Sequence, residues 1–423
     1  MTGNGFCHQV ACRLNASLGQ WPYALLFTLL FGAVAIPNGF RILMAAAVIL
    51  CIFALRGRWR QLNGRAVGSL AAMFVLVAVY WWWQRALAQP LFLNSFRSKI
   101  ALLALFMLAF GQMQPLWCVR PVLVGGALMA PVALLEAGYQ FFVLHTRAYG
   151  AEFFSIHFGD VTALYALILA GMGLVAAHGW REKTLAYGGA LLFTLAAMLS
   201  GTRGAWLTAL LWPVVLVVAG RRLWSARGMA LVTCALVTVA IVNPFNVRGR
   251  VTSAAQEAMQ YQGDAADDGS VGTRFQMWTL AARLFAEKPL TGWGLKGYLV
   301  QRDQAIQKGE LAPVIQEFQH AHNQFLDEAA KSGLVGIGAM LLLHGVPLIY
   351  FARRLKRSVS AQMRALALAG LLVPLCFFVF GLTEAIFSWN NGPIAVYFFA
   401  IAVFAAAREP PTQPESSPSN LLR

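Results

Sequence analysis

Over most of its length the chain alternates long, nearly uncharged apolar runs with short polar clusters. A helix needs about 20 such residues to cross a bilayer. Twelve runs qualify as candidate spans, centred near Leu30, Val48, Phe74, Leu105, Ala130, Leu167, Leu191, Leu211, Leu236, Leu341, Leu371 and Tyr397. The pattern is weaker in the fifth, which carries Pro131 and Glu136, and in the last, which carries Pro393. The expected fold is an all-α polytopic integral membrane protein. Its organisation reads as a cytoplasmic leader (1–20), spans one to nine (21–243), a loop domain (244–319), spans ten to twelve (320–407) and a Pro- and Ser-rich disordered cytoplasmic tail (408–423). The first apolar run has no short core and cleavage site like those of a signal peptide, so it stays in the membrane. No internal repeat stands out, which gives a repeat-built transporter no support.

The long polar interval has its own helical signal in "GTRFQMWTLAARLFAEKPLTGWGLKGY". Thr273 is the expected N-cap. Phe275, Trp278, Ala282 and Phe285 recur on one helical face, and Pro289 and Gly292 end the helix. That face suits the membrane surface or packing against the other helices equally well. The loop holds eight basic and eight acidic residues, a mixture that suits a folded cap better than a polybasic lipid tether.

Composition agrees with the pattern. Of 423 residues, 59% are hydrophobic and only 12% charged, against roughly one-quarter charged in a soluble domain. Mean hydropathy is +0.61. The net charge of +16 does not point to nucleic acid, because the basic residues cluster in short segments between apolar runs. Those clusters, "RGRWRQLNGR" (56–65), "HGWREK" (178–183), "GRRLWSAR" (220–227) and "ARRLKRS" (352–358), all follow even-numbered spans. The positive-inside tendency places them in the cytoplasm and the long loop outside. Arg85, Arg97 and Lys99 in the third loop run against this trend. The six cysteines show neither metal-ligand spacing nor a disulfide framework.

Candidate chemistry gathers at the outer ends of helices. Arg203 in "SGTRGAW", Arg274 in "VGTRFQMW" and His322 in "FQHAHNQF" are each predicted at a helix start. Helix N-termini attract anions, and arginine adds bidentate phosphate recognition. Taken singly, such an arginine is more often an interfacial anchor or half an ion pair, and such a histidine more often a cap. Two arginines and a histidine on one side of the membrane are what a reaction at a lipid-linked diphosphate needs. The arginines neutralise the leaving group, and an imidazole with an ordinary pKa near 6.5 accepts the acceptor's proton. His322, nearest the helix start and beside Asn323, is the candidate base, with His320 in support. Asp327 and Glu328 lie off the helical face of His322 and are expected to favour the helix dipole, so a metal site is not expected. Glu384 could orient an imidazole or an arginine, and Arg147 in "HTRAYG" could contact phosphate or sugar.

The run His322-Asn323, nine residues, then Gly333-x-x-Gly336, together with "GTRGAW" and the segment from Arg274 to "KPLTGWG", resembles the O-antigen ligase family of bacterial envelope glycosyltransferases. The motifs cover about Ser200 to Gly336. The resemblance implies a lipid-linked glycosyltransferase architecture (GT-C-like) in the inner membrane, with the site facing the periplasm. It implies inverting transfer of O-antigen polysaccharide from undecaprenyl diphosphate to lipid A–core oligosaccharide, with no nucleotide, cofactor or required metal. Carried over, His322 is the general base, and Arg203 and Arg274 bind the diphosphate. Relatives of similar topology polymerise O-antigen or transfer glycans to protein hydroxyls. The short tail and the unbroken His-Asn…Gly-x-x-Gly run favour ligation. A transporter or flippase would carry more charge inside its spans and would have no need of the histidine.

Overall fold

The computed structural model describes residues 20–56, 62, 67–88, 96–220, 249, 252, 256, 259, 269–388 and 391–409. The expected leader, the ninth span near Leu236, Cys7, Cys12, Cys234, most of 244–268 and nearly all of the tail lie outside them. Every regular element among the described residues is helical, with one isolated bridge pairing Leu116 with Ala407.

The helices in chain order are α1 (Trp21–Gly32), α2 (Gly39–Leu55), α3 (Gly68–Ala88), α4 (Phe96–Met113), α5 (Arg120–Gly138), α6 (Ser155–Val175), α7 (Gly179–Leu199), α8 (Arg203–Trp206), α9 (Trp212–Ala219), α10 (Ser270–Glu287), α11 (Gly294–Gln307), α12 (Gln324–Arg357), α13 (Ala361–Gly381) and α14 (Asn391–Ala405). Every predicted span centre except the ninth falls within this helical framework. Four segments are long and apolar enough to cross a membrane: Arg120–Val143, Ser155–Val175, Gln324–Arg357 and Ala361–Gly381. Other apolar segments, among them Trp21–Gly32, Gly39–Ala54 and Asn391–Ala405, are shorter. The run near Leu30 is a twelve-residue helix opened by Pro22 and ended by a turn at Asn38, which adopts the left-handed region. The run near Leu211 is three pieces, because a 3-10 turn at Leu207–Leu211 precedes Pro213, whose ring removes an N–H donor and restarts the helix.

Sequence decides which helices are central. A helix apolar all round is buried on every side. That describes α6 and α14, where residues such as Leu164, Leu169, Ile394 and Phe399 are fully enclosed. Aromatic rings pack around α14, with Phe377, Phe387 and Phe398 all against or beside Tyr397. The peripheral helices leave large apolar side chains exposed, among them Ile52, Phe53, Leu76, Leu135, Leu191 and Leu341. An apolar outer surface of this extent suits lipid, not water. Among its described residues the protein is all-helical, with the apolar surface of a membrane protein.

One break organises the polar end of the bundle. Within α12, Gly333 leaves helical geometry at φ 60°. The chain that follows α10 docks into this break. Leu334 N–H donates to Pro289 O at 2.7 Å, and Trp293 N–H donates to Ala330 O at 3.0 Å. Both docked backbones need glycine. A Cβ on Gly333 would sit 2.4 Å from Pro289 O, and one on Gly292, itself at φ 65°, would sit 2.4 Å from Lys331 C. Gly336 is equally confined, since a Cβ there would lie 2.7 Å from Glu328 O. The break divides α12 into a short polar piece carrying Gln324, Asp327, Glu328 and Lys331, and an apolar piece beyond it. The apolar piece of α12 therefore begins after Gly333, and His322 immediately precedes the cap of the polar piece.

The loop helix α10 also differs from expectation. It starts at Ser270 with Gly269 as N-cap, and the Thr273 hydroxyl lies inside the first turn, donating to Gly269 O at 3.0 Å. Its packed face is Met277, Leu280, Ala281 and Leu284, which join Tyr298, Ile315 and Ala330 in a second apolar core. Ala282 is exposed, and Phe275, Trp278 and Phe285 are only half-buried. The predicted stripe is displaced because the partner surface, α11 and the polar piece of α12, approaches from Met277 and Leu280. Helix termination after Glu287, just before Pro289, matches the prediction.

If the glycine break is a structural necessity, Gly333→Ala lowers unfolding stability by about 1–3 kcal/mol through left-handed strain alone, with the steric clash adding to it. Thermal unfolding of the detergent-solubilised protein checks this, and a melting temperature equal to wild type would rule it out.

Candidate active site

The polar end of α12 is built from its cap outward. The Asn323 carboxamide oxygen accepts from the N–H groups of Phe325 at 3.0 Å and Leu326 at 3.1 Å, satisfying two of the donors a helix start leaves free. Its Nδ2 donates to Leu382 O at 3.1 Å. Both ends of Asn323, a substrate-binding candidate by its place beside His322, are thus engaged in the cap and the Leu382 turn. The cap also explains why Asn follows His: the side chain that starts the helix fixes the residue just before it. His322 sits there with φ 48°, a conformation rare for a non-glycine residue and one that clusters at functional sites.

The partner of His322 comes from 62 residues away. After α13 the chain turns, with Thr383 N–H and Glu384 N–H each donating to Phe380 O at 3.0 Å. This brings Glu384, 2% exposed, to the histidines. His322 Nδ1 lies 2.9 Å from Glu384 Oε2, and His320 Nδ1 lies 3.5 Å from Oε1. The two imidazole centroids are 4.4 Å apart. Burial pushes the Glu384 carboxyl up, but the hydrogen bond with His322 and the nearby charges of His322, His320 and His157 outweigh it and hold it at about 2. The carboxylate is therefore an acceptor, so Nδ1 of His322 carries the proton, a tautomer assigned from this network. In the neutral form of that tautomer, Nε2 carries the lone pair. A base oriented by a carboxylate is the arrangement that proton abstraction needs. His320 is different. Burial lowers it to about 4 despite Glu384, so it is neutral at physiological pH, and its Nδ1 lies 3.4 Å from the His322 N–H as acceptor.

Two glycine contacts position Arg203, and a tryptophan hydrogen bond ties in the helix that bears Arg274. The turn Ser200–Thr202 rests on Gly159 of α6, and the Thr202 hydroxyl donates to Ser155 O at 2.8 Å. Gly204 then presses on the Glu384 turn: a Cβ there would lie 2.9 Å from Thr383 Oγ1. Arg203, between them, is carried to the site. Arg274 arrives on α10, which is tied to the histidine segment by Trp278 Nε1–H donating to Ala321 O at 2.9 Å. Burial lowers the Arg274 pKa, Glu384 opposes that shift and Arg203 adds to it, so the three charges share one field. Neither Arg203 nor Arg274 makes a hydrogen bond or ion pair with a described residue, which leaves both guanidinium forks available to an anion.

The remaining candidates divide. Arg147 is exposed but anchored, its Nε–H donating to Ser200 O at 2.8 Å, beside the Arg203 turn. Glu136 is structural: it accepts from Gln140 Nε2 at 2.7 Å, and Gln140 in turn binds the backbone of Tyr149 and Gly150, holding the Arg147 loop. Asp327 and Glu328 do more than favour a dipole. Asp327 accepts from Ala321 N–H at 3.1 Å and pairs with Lys331 at 2.6 Å, and Glu328 accepts from Tyr80 and from Gln84 at 2.8 Å.

Two residues near the site were missed in the sequence. His157 and Asp160 lie one turn apart on α6, both buried. Asp160 Oδ1 lies 3.1 Å from the Cβ position of Gly204. The available signal was an ionisable pair inside an apolar run, "SIHFGDVT", which marks a functional position in a membrane helix. The donor atoms of His320, His322 and Glu384 also lie within 4.8 Å of one another and could hold a cation, a grouping that spacing could not show because Glu384 is distant in sequence.

An apolar helical bundle with a carboxylate-oriented histidine at its polar end, and two arginines there that pair with no described residue, defines the class: a membrane protein with a polar site at one end of its helices. Residues 188–342 match the family model described as O-antigen ligase. Over this segment, which includes Arg203, Arg274, His320 and His322, the chain is similar to that family. An uncharacterized protein of Haemophilus influenzae is 26% identical over 221 residues, covering 51% of this chain and 54% of that relative. The match spans about half the length of each.

The histidine cluster also sets an acid response. His320 and Glu384 are both held below their ordinary values, so on acidification the unfolded chain takes up protons first. Stability from His320 is complete above about pH 6.5 and is lost as pH falls toward 4; Glu384 extends the loss from about 4.5 toward 2. The melting temperature is expected to fall steadily between pH 6.5 and 4, with a shallower slope in His320→Gln. Equal slopes in the two proteins would remove His320 from this account.

Proposed function

We propose that this protein is an O-antigen ligase. It transfers O-antigen polysaccharide from undecaprenyl diphosphate to lipid A–core oligosaccharide, at the periplasmic face of the inner membrane, with inversion at the anomeric carbon. The observation that carries the reading is the 2.9 Å contact of His322 Nδ1 with Glu384, set beside two arginines that have no protein counter-ion among the described residues.

The chemistry follows from these groups. The acceptor hydroxyl attacks the anomeric carbon of the donor sugar, the bond from that carbon to the diphosphate oxygen breaks, and the hydroxyl proton passes to His322 Nε2. Glu384 holds the ring and stabilises the imidazolium that forms. Arg203 and Arg274 stabilise the charge on the departing diphosphate, and Arg147 extends the same positive edge. Diphosphate is already a good leaving group, so positioning, charge stabilisation and one proton acceptor suffice. His320, neutral and buried, supports His322 through its backbone. The apolar outer surface suits the polyprenyl chain. O-antigen polymerisation and transfer to protein hydroxyls would use the same base and the same arginines, and they differ only in the acceptor.

Reconstitution with a lipid-diphosphate-linked glycan and lipid A–core tests the assignment. Transfer is expected without nucleotide and in the presence of EDTA. His322→Ala abolishes turnover with donor binding retained; wild-type turnover in that variant would end the base assignment. Arg203→Ala or Arg274→Ala weakens donor use by about 1.5–3 kcal/mol, the range for a hydrogen bond to a charged group. Elongation of the donor glycan with lipid A–core left unmodified would favour a polymerase. Movement of donor across vesicles with no transfer would favour a transporter.

A further inference from the structure

Behind the histidine segment lies a second polar space, which the proposed chemistry does not use. A cavity of about 270 Å³ opens between the end of α3, the start of α11 and the polar piece of α12. Two indoles, Trp83 and Trp293, contribute to its walls. Its floor is a fixed hydrogen-bond network: Gln84 Nε2 donates to Glu328 Oε2 and Ser332 Oγ, each at 2.8 Å, and the Ser388 hydroxyl donates to Asp327 Oδ2 at 3.0 Å. Above that floor, polar capacity is unspent. Trp83, Gln84, Thr291 and Lys296 line the cavity, with Arg97 and Lys331 beside them, and the Trp83 indole N–H, the Gln84 carbonyl oxygen, the Thr291 hydroxyl and the Lys296 ammonium are not hydrogen-bonded to a described residue.

Indole rings beside an uncommitted donor, acceptor, hydroxyl and ammonium, with Arg97 and Lys331 also in the lining, match the chemistry of a sugar ring, which has apolar C–H faces and a rim of polar substituents. Binding sites commonly combine aromatic walls with a few fixed polar groups. At 270 Å³ the space falls just under the usual range of about 300–1,000 Å³ for ligand pockets, so it takes a single ring and not a polymer. The cavity is also wired to the base. Asp327, on its floor, accepts from the N–H of Ala321, the residue before His322. The arginines that suit the donor diphosphate are not among the residues that line it.

We infer that this cavity is a saccharide subsite that holds one sugar ring of the acceptor oligosaccharide and presents a neighbouring hydroxyl to His322. This rests on the ligase reading for the identity of the acceptor, but the cavity's affinity for sugar does not depend on turnover. Two measurements separate the two. The first is calorimetric binding of delipidated core oligosaccharide to the purified protein, with Trp83→Leu, Gln84→Ala, Thr291→Ala and Lys296→Ala compared with wild type. The second is steady-state transfer with donor and acceptor varied independently. Each variant is expected to weaken oligosaccharide binding and raise acceptor KM by about three- to tenfold, the loss of one hydrogen bond, with donor KM unmoved. Thr291 and Lys296 are exposed at the rim, so their variants fold even if the changes at Trp83 or Gln84 disturb α3. A rise in donor KM with acceptor KM unchanged would assign the cavity to the donor glycan and overturn the inference. Unchanged binding and unchanged KM in the rim variants would also overturn it. Oligosaccharide binding that depends on these residues in a protein showing no transfer would keep the subsite and remove the ligase.

Discussion

The docking of the Pro289–Trp293 segment into the break at Gly333 is the constraint on which the polar end of this protein depends. A continuous α12 would carry its backbone N–H groups straight through residue 334. Instead, the N–H of Leu334 is given to Pro289 O, and the carbonyl of Ala330 receives Trp293 N–H. Two chain segments approach to backbone contact, which only residues without a Cβ allow. The result is a short polar helix, residues 324–332, set apart from the apolar helix that follows. Asn323 caps it, His322 precedes it, and its buried acids are satisfied by α3 and by the segment around Ser388.

This arrangement shows why the motif spacing is what it is. Asn323 is a helix cap, and Gly333 marks the far end of the same short helix. The nine residues between Asn323 and Gly333 are the length of that helix, and Gly336 permits the close approach of Tyr80 and the Glu328 carbonyl. Likewise Gly292 in "KPLTGWG" is the other half of the contact that Gly333 makes. Motifs separated by some forty residues are two sides of one interface, and the loop helix that bears Arg274 is positioned by it.

Charge balance explains the site's asymmetry. The carboxylate of Glu384 is committed to His322, and the acids of α12 are committed to Lys331, Tyr80 and Gln84. Arg203 and Arg274 therefore face the site with no described protein anion of their own. Among the described residues the protein is structurally complete without compensating them, which suits an anionic substrate. Asp160, buried beneath Gly204 with neither carboxylate oxygen hydrogen-bonded to a described residue, is a further polar group at this corner that the apolar character of α6 concealed.

The chain's own pattern determined that the protein is helical and apolar, where most helices lie, and where charged side chains meet helix ends, because hydrophobic runs and charged side chains are local properties. His322, Arg203 and Arg274 stood out as candidates for the same reason: each sits beside a local helix signal. The packed face of α10 was not legible, since Met277 and Leu280 are buried by partners that no helical wheel contains. Nor was the role of Asn323, whose polar atoms are taken up by the cap and by Leu382, or the break in α12 at Gly333. The pairing of His322 with Glu384 across 62 residues, and of Arg203 with the Glu384 turn through Gly204, was decided by tertiary structure alone. Electrostatic partnership depends on distance in space, and only the folded bundle brings these segments within a few ångströms.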